Sequence, residues 1–315
     1  MASEFRRHDF RLDPGHAGLR LDQALARQLP QYSRSRIQGW IEGGGVTLDG
    51  RPARARDRVQ GGELVQLVGE VPLESGIAAQ AMPLGIVHAD RAILVIDKPA
   101  GLVVHPGAGN REGTLQNGLL AYDPRLAQVP RAGLVHRLDK DTSGLMVVAR
   151  TIEAHAALVA ALAGREIARE YLAVVTGVMT GGGTIDEPIG RHRTARVKMA
   201  VREGGREAIT HYRVIERFAA HTFVRVTLET GRTHQIRVHL AHAGFPIVGD
   251  PVYGGRRRLP AGASPALREA LGNFPRQALH AARLAFAHPS SGEELDFESP
   301  LPADMAALLA ALRAG

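Results

Sequence analysis

The sequence contains no cysteine, which excludes disulfides, thiolate catalysis and cysteine-ligated zinc. Lysine is scarce as well: Lys98, Lys140 and Lys198 are the only three, so 36 of the 39 basic residues are arginine. Long apolar runs are missing. A typical stretch such as 92–96 (AILVI) falls far short of the roughly 20 residues that a membrane span needs. The first thirteen residues, MASEFRRHDFRLD, hold no apolar segment of the kind that marks a secretory signal. No long charge run or biased tract argues for extended disorder. Together these absences lead to the expectation of a soluble, cytoplasmic protein.

What is present points toward a polyanion. The chain of 315 residues is 44% hydrophobic, enough for a buried core and long enough for two domains, and its formal net charge is +7. Arginine can grip phosphate with two parallel hydrogen bonds and stack on bases, whereas lysine offers a hydrated point charge. Part of the arginine excess is what a GC-rich coding sequence would give. That bias does not explain where the arginines cluster.

Residues 1–18 are taken as an N-terminal extension, and 19–69 form a small unit of their own. Leu21, Leu25 and Leu29 share one face of a short helix that Pro30 helps to end. Ser33 is placed to cap a second helix with Ile37, Trp40 and Ile41 on its apolar face, closed by Gly43–Gly45. Asp49-Gly50 is a turn signal between two short strands, and GELVQLV reads as a third. Eight arginines between Arg20 and Arg58 face four acids. Arg34 and Arg36 open the second helix, and Arg51, Arg54, Arg56 and Arg58 are expected along one face of an extended segment that could meet phosphate. Residues 70–82 read as a mobile linker, and 83–315 as a second domain. There AILVID, GLMVVAR, EYLAVVTG, ITHYRVIE and HTFVRVTLET look like strands, while EAHAALVAALAG and PADMAALLAALRAG look like helices. Hairpin-like neighbours at 209–216 and 221–230 suggest an α+β fold with a mixed, mainly antiparallel sheet and flanking helices.

Familiar cofactor and hydrolase signatures are not matched. No stretch fits GxxxxGK[ST], and the glycines of GAGNREG are spaced one residue too wide for GxGxxG. His234, His239 and His242 do not form a familiar zinc pattern, and no HExxH or GxSxG occurs. Asp139 and Asp141 stand two residues apart, so in an extended segment they point to opposite sides, and one working carboxylate is the economical reading. The puzzle is their setting. Five polar or charged residues, His136, Arg137, Asp139, Lys140 and Asp141, lie between the apolar strings Gly133–Val135 and Leu145–Val148.

HRLDKDTSG resembles the HRLDxxTSG signature of the RluA-type pseudouridine synthases at every fixed position. DKPAGLVVHPG at 97–107, REYLAVVTG at 169–177 and GRTHQIRVHLAHAGFPIVGDPVYGG at 231–255 resemble three further motifs of that family, in family order. The unit at 19–69 resembles an S4 domain, the small RNA-binding module often fused to these enzymes. YSRSRI, PGAGN, VPRAGLVHRLDKD, DEPIGRH and THYR extend the likeness to members that act on large-subunit ribosomal RNA. The resemblance implies a central cleft across the sheet and uridine-to-pseudouridine isomerisation. No cofactor and no metal would be needed, because no redox change and no added group is involved.

By that resemblance Asp139 is the catalytic carboxylate, Arg237 the cation that keeps it ionised, and Tyr171 the ring that stacks on uracil. Arg137 would fill the gap left by a flipped uridine. His136 would either contact RNA or order its own loop. Arg191, Arg193, Arg196, Lys198, Arg202 and Arg206, with Arg256–Arg258, are candidates for tracking phosphates, and Arg232 and His234 for facing RNA. The implied partner is large-subunit ribosomal RNA or an assembling large subunit, and a monomer is the default. Three rivals are weighed. A non-catalytic S4 binding or ribosome-assembly factor would have lost Asp139, Tyr171 or Arg237. An S4-linked RNA methyltransferase would need a glycine-rich cofactor loop. The same chemistry on other rRNA or tRNA uridines leaves the motifs unchanged.

Overall fold

The computed structural model describes residues 3–30, 32, 34–72, 77–107, 110–195, 198–255 and 259–315. Ser33, the expected helix cap, Arg196 and Arg256–Arg258 lie outside them.

Four hydrophobic clusters form among the described residues, one before the low-periodicity stretch around residue 75 and three after it. The first is built by β1 (Ser3–Arg11), α1 (Leu21–Gln28), α2 (Arg34–Glu42), β2 (Val46–Leu48), β3 (Arg51–Pro52) and β4 (Leu64–Pro72), with sheet order β1-β4-β2-β3. Leu21 and Leu25 of α1 meet Ile37, Trp40 and Ile41 of α2 over Val46, Val65 and Leu67. The turn at Asp49-Gly50 has both residues at positive φ, 47° and 75°, as a tight two-residue hairpin requires. Gly69 leaves room for the Trp40 ring, which a Cβ at 69 would meet at 2.3 Å.

Three expectations for this region need correction. Residues 3–11, within the stretch read as an N-terminal extension, are a strand of the first unit's sheet: they pair with β4 over nine residues, from Ser3 opposite Pro72 to Arg11 opposite Leu64. Arg51, Arg54, Arg56 and Arg58 do not share an extended face, because Asp57 turns the chain by accepting from the Arg54 N–H at 2.7 Å and donating its own N–H to the Arg54 carbonyl. All four side chains are nonetheless exposed. The stretch expected as a free linker is strand up to Pro72, and its far end is tied to the second unit. There the Ala78 carbonyl accepts from Asn117 Nδ2 at 2.7 Å, and Gln80 Oε1 accepts from the Gly113 N–H.

Two of the later clusters pack against a nine-stranded sheet. Its strands are β5 (Ile86–Ala89), β6 (Ile93–Lys98), β7 (Ser143–Ala149), β8 (Ala168–Thr176), β9 (Gly183–Asp186), β12 (Ile209–Arg217), β13 (His221–Leu228), β14 (Leu279–Ala287) and β15 (Glu294–Glu298). The order is β5-β6-β7-β14-β8-β13-β12-β9, with β15 on β14. Only β7 and β14 run parallel, so the sheet is mixed and mainly antiparallel as expected. Helices α3 (Leu115–Tyr122), α4 (Ile152–Ala163), α5 (Gln235–His242), α6 (Pro265–Asn273) and α7 (Ala303–Ala314) pack on it, and β10 (Ile189–Arg191) with β11 (Met199–Val201) makes a separate hairpin. Central strand β7 is buried at every position, which accounts for its apolar run from Leu145 to Ala149.

Candidate active site

The charged cluster is an excursion whose two ends rest on one strand. Leu134 bridges Val148 of β7, and the chain re-enters β7 at Ser143, so 135–142 is a loop pinned at both ends within the core. Its entry is sharp. Arg131, Ala132 and Gly133 are successive left-handed residues, and a Cβ on Gly133 would lie 1.8 Å from the Ala149 carbonyl oxygen. His136 Nε2 accepts the Val147 N–H at 3.1 Å, supplying the acceptor that a departing backbone leaves missing. Burial, with the nearby Arg169 charge, pulls the His136 pKa down to about 3. The imidazole is therefore neutral, and the geometry favours loop ordering over the RNA contact that His136 was also expected to make.

Other elements hold the loop from below. Lys98, fully buried at the end of β6, donates to the carbonyls of Pro99, Leu102 and Lys140 at 2.8–3.0 Å. Burial lowers its pKa to about 8. Arg276 reaches the Asp141 carbonyl at 3.2 Å while its other nitrogens grip Asp304.

These supports aim Asp139 at α5. Arg237 Nη1 donates to Asp139 Oδ2 at 2.8 Å, and the Asp139 side chain is 17% exposed. Behind it Arg237 is clamped by Asp250, with Nε to Oδ2 at 2.7 Å and Nη2 to Oδ1 at 2.9 Å. Asp250 Oδ1 also accepts the N–H groups of Val252 and Tyr253, so the loop after Pro246 is organised around this carboxylate. Burial alone would lower the Arg237 pKa, but hydrogen bonds and charges of Asp250 and Asp139 outweigh it and raise it above the ordinary guanidinium value. Burial would likewise raise Asp250, and Arg237 overrides it downward. One permanent cation thus sits between two carboxylates, one fully buried and one facing the cleft.

Tyr253 completes the arrangement. Its ring lies under the Arg237 guanidinium, 5.1 Å from centroid to Cζ. Its hydroxyl accepts the Met199 N–H at 2.9 Å and shares a second hydrogen bond with His234 Nδ1 at 2.8 Å. Burial lowers the His234 pKa, and its Nε2 lies 3.8 Å from Asp139 Oδ1. Tyr171 is buried on β8 opposite Val226, and burial raises its phenol pKa. Asp139, Tyr171, Arg237, His136, Arg137, Arg232 and His234 all line one cleft of about 370 Å³. Arg137 is exposed at its edge, and Arg232 Nε is engaged with the Glu207 carbonyl.

The remaining expected residues lie elsewhere. Arg34, with Arg20 and Gln38, holds the buried carboxylate of Asp22 at 2.6–3.1 Å, which is a structural task in the first core. Arg36 and Arg54 belong to the same unit, and Arg51 opens β3. Arg191, Arg193 and Lys198 sit on the β10–β11 hairpin, outside the residues lining the cleft. His239 donates and accepts inside the protein, with Thr210 and the Glu187 carbonyl as partners. Among the described residues no group of three His, Asp or Glu side chains is placed to hold a metal ion, and no helix is long and apolar enough to cross a membrane. Asp250, Tyr253, Lys98 and Arg169 were not picked out from sequence. Asp250 and Tyr253 stood inside the quoted GDPVYGG stretch, but nothing in the string says that they face Arg237.

The carboxylate–arginine site on a mixed sheet, beside an αα + β unit, is that of an RNA-modifying enzyme class. The chain belongs to the RNA pseudouridylate synthase family, whose pattern matches residues 92–242, and residues 19–65 match the S4 domain. It is 57% identical to "Ribosomal large subunit pseudouridine synthase D" of Xanthomonas campestris pv. campestris, over 94% of this chain and 90% of that protein. The protein of the same name from Pseudomonas aeruginosa is 58% identical over 94% and 92%. Among solved structures, human RNA Pseudouridylate Synthase Domain Containing 4 superposes with a TM-score of 0.58 at 29% identity, covering 73% of this chain and 93% of that one.

Proposed function

We propose that this chain isomerises specific uridines of large-subunit ribosomal RNA to pseudouridine, with Asp139 as the catalytic carboxylate. The observation that carries the reading is the Asp250–Arg237–Asp139 relay opening into the cleft beside Tyr171. The names of the relatives support the rRNA address. In this reading the N1–C1′ bond breaks with its electron pair on N1, while Asp139 assists at C1′. The base turns, C5 bonds to C1′, the C5 proton is lost and N1 gains one. Arg237 keeps Asp139 ionised and fixed, and Asp250 keeps Arg237 from closing both arms on it. Tyr171 stacks on the base. Arg137 occupies the vacated stack, at a cost of a few kcal/mol for base extrusion that its contacts offset. Residues 19–69 act as the S4 unit, 70–82 as the connection and 83–315 as the synthase. The exposed arginines of both units follow the phosphate backbone, in a cytoplasmic monomer.

The test is tritium release from RNA labelled at uridine C5, with Asp139→Asn alongside. Release from a large-subunit rRNA fragment by the wild type alone supports reaction and residue. Release from tRNA but not rRNA keeps the chemistry and moves the address. Silence on both, with RNA binding intact, rejects the enzyme reading.

A further inference from the structure

One cation in the cleft has no assigned partner. Arg169 precedes Tyr171 by two residues on β8, so both side chains project from the same face of the sheet. It is 9% exposed and lines the cleft, yet its buried Nε has no hydrogen-bond partner, and among the described residues no carboxylate pairs with it. Space has been left for it: a Cβ at Gly231 would come within 2.8 Å of its Nη1. Its charge is felt by the two neighbours, His136 and Tyr171. The other cleft arginines are accounted for differently. Arg237 is saturated by two aspartates, Arg232 holds the Glu207 carbonyl, and Arg131 and Arg137 are exposed at the rim.

A buried guanidinium without an acceptor lowers stability. Such a group is consistent with an acceptor that arrives with the ligand. RNA phosphates stay on the polymer and are met by rim cations, whereas a flipped base enters the depth where Tyr171 lies. We propose that Arg169 hydrogen-bonds a carbonyl oxygen of the target uracil and stabilises the negative charge that the base carries while detached. This rests on the isomerase reading above. When C1′–N1 breaks, the electron pair stays on the base and spreads to its oxygens. The charge is discharged when C5 bonds C1′, the C5 proton leaves and N1 is protonated. A preorganised donor aimed at such a charge acts mainly on the chemical step.

The test pairs single-turnover C5-tritium release with binding to two RNA fragments, one with the target uridine and one with an abasic sugar there. Arg169→Met is expected to slow release at saturating RNA by about 100-fold. It should weaken binding of the uridine fragment about tenfold, leave the abasic fragment unchanged, and melt at or above the wild-type temperature. Arg169→Lys should restore part of the rate. Equal weakening on both fragments would assign Arg169 to a phosphate and overturn the proposal, as would an unchanged rate. A lower melting temperature with parallel losses would make it structural. A wild type that releases no tritium would overturn the isomerase reading itself, and this inference with it.

Discussion

Asp250→Asn removes one charge from the relay at a site with no solvent access. The carboxylate makes two bonds to Arg237 and two to backbone N–H groups, and its side chain is 0% exposed. Asparagine keeps one acceptor oxygen but turns an NH2 group toward a guanidinium that can only donate. Breaking a buried pair costs about 3–5 kcal/mol. Asp139 still compensates Arg237, so the lower end, about 3 kcal/mol, is expected. At roughly 2–4 °C per kcal/mol for a domain of this size, the melting temperature should fall by about 6–12 °C. Arg237, released, would swing onto Asp139 with both arms, and tritium release should fall at least tenfold. The Asp250 pKa is depressed in the fold, so its contribution is present above the unfolded value, about 3.9, and is lost as pH falls through the folded one. The gap between wild type and variant should therefore be flat from about pH 6 to 8 and close under strong acid. A variant that melts within a degree of wild type and keeps full activity would refute the relay.

Three other outcomes follow from the same geometry. His136 is held neutral with a pKa of about 3, so the unfolded chain takes up a proton first as pH falls below about 6.5; wild-type stability should drop by up to about 1.4 kcal/mol per pH unit there, and His136→Gln should flatten that slope in urea melts run at several pH values. Gly133→Ala places a Cβ against the Ala149 carbonyl at φ +81°, and should cost more than about 4 kcal/mol or leave the chain insoluble, which expression and circular dichroism would show. Arg51→Ala with Arg54→Ala removes two exposed cations, and filter binding across a salt series should show the slope of log K against log salt reduced by about one to two, with melting unchanged.

How much was legible depends on how local each determinant is. The helices at 21–28 and 34–42 and the turn at 49–50 follow from spacing and glycine chemistry within a few residues, and the central strands announce themselves as apolar runs. Strand β14 escaped notice, since LHAARLAFA mixes helix formers with an Arg and becomes a strand only by lying between β7 and β8. Helix α5 was hidden for the opposite reason. It buries Gln235, Arg237 and His239 where a periodic reading looks for leucine. Each of those polar groups is satisfied by a partner distant in sequence, such as Ile209 for Gln235 and Asp139, 98 residues away, for Arg237. Asp139 and Arg237 were named because their motifs resemble a family. Their roles as neighbours depend on the sheet, which no window along the chain displays.

The same distinction explains why a charged loop can sit inside a core. Two of its side chains and two of its carbonyls are answered by partners from other elements: His136 by the Val147 N–H of β7, Asp139 by Arg237 of α5, the Lys140 carbonyl by Lys98 of β6 and the Asp141 carbonyl by Arg276 just before β14. Removing any one leaves a polar group stranded at low dielectric, so the loop is either fully assembled or strongly destabilised. Rigidity at Asp139 is then a consequence of burial cost and needs no separate device. Exposure rises from Asp250 at 0% through Arg237 at 6% to Asp139 at 17%, and ends at the exposed Arg137. That gradient places the groups that must not move in the dry interior, and those that must meet a mobile polymer in water.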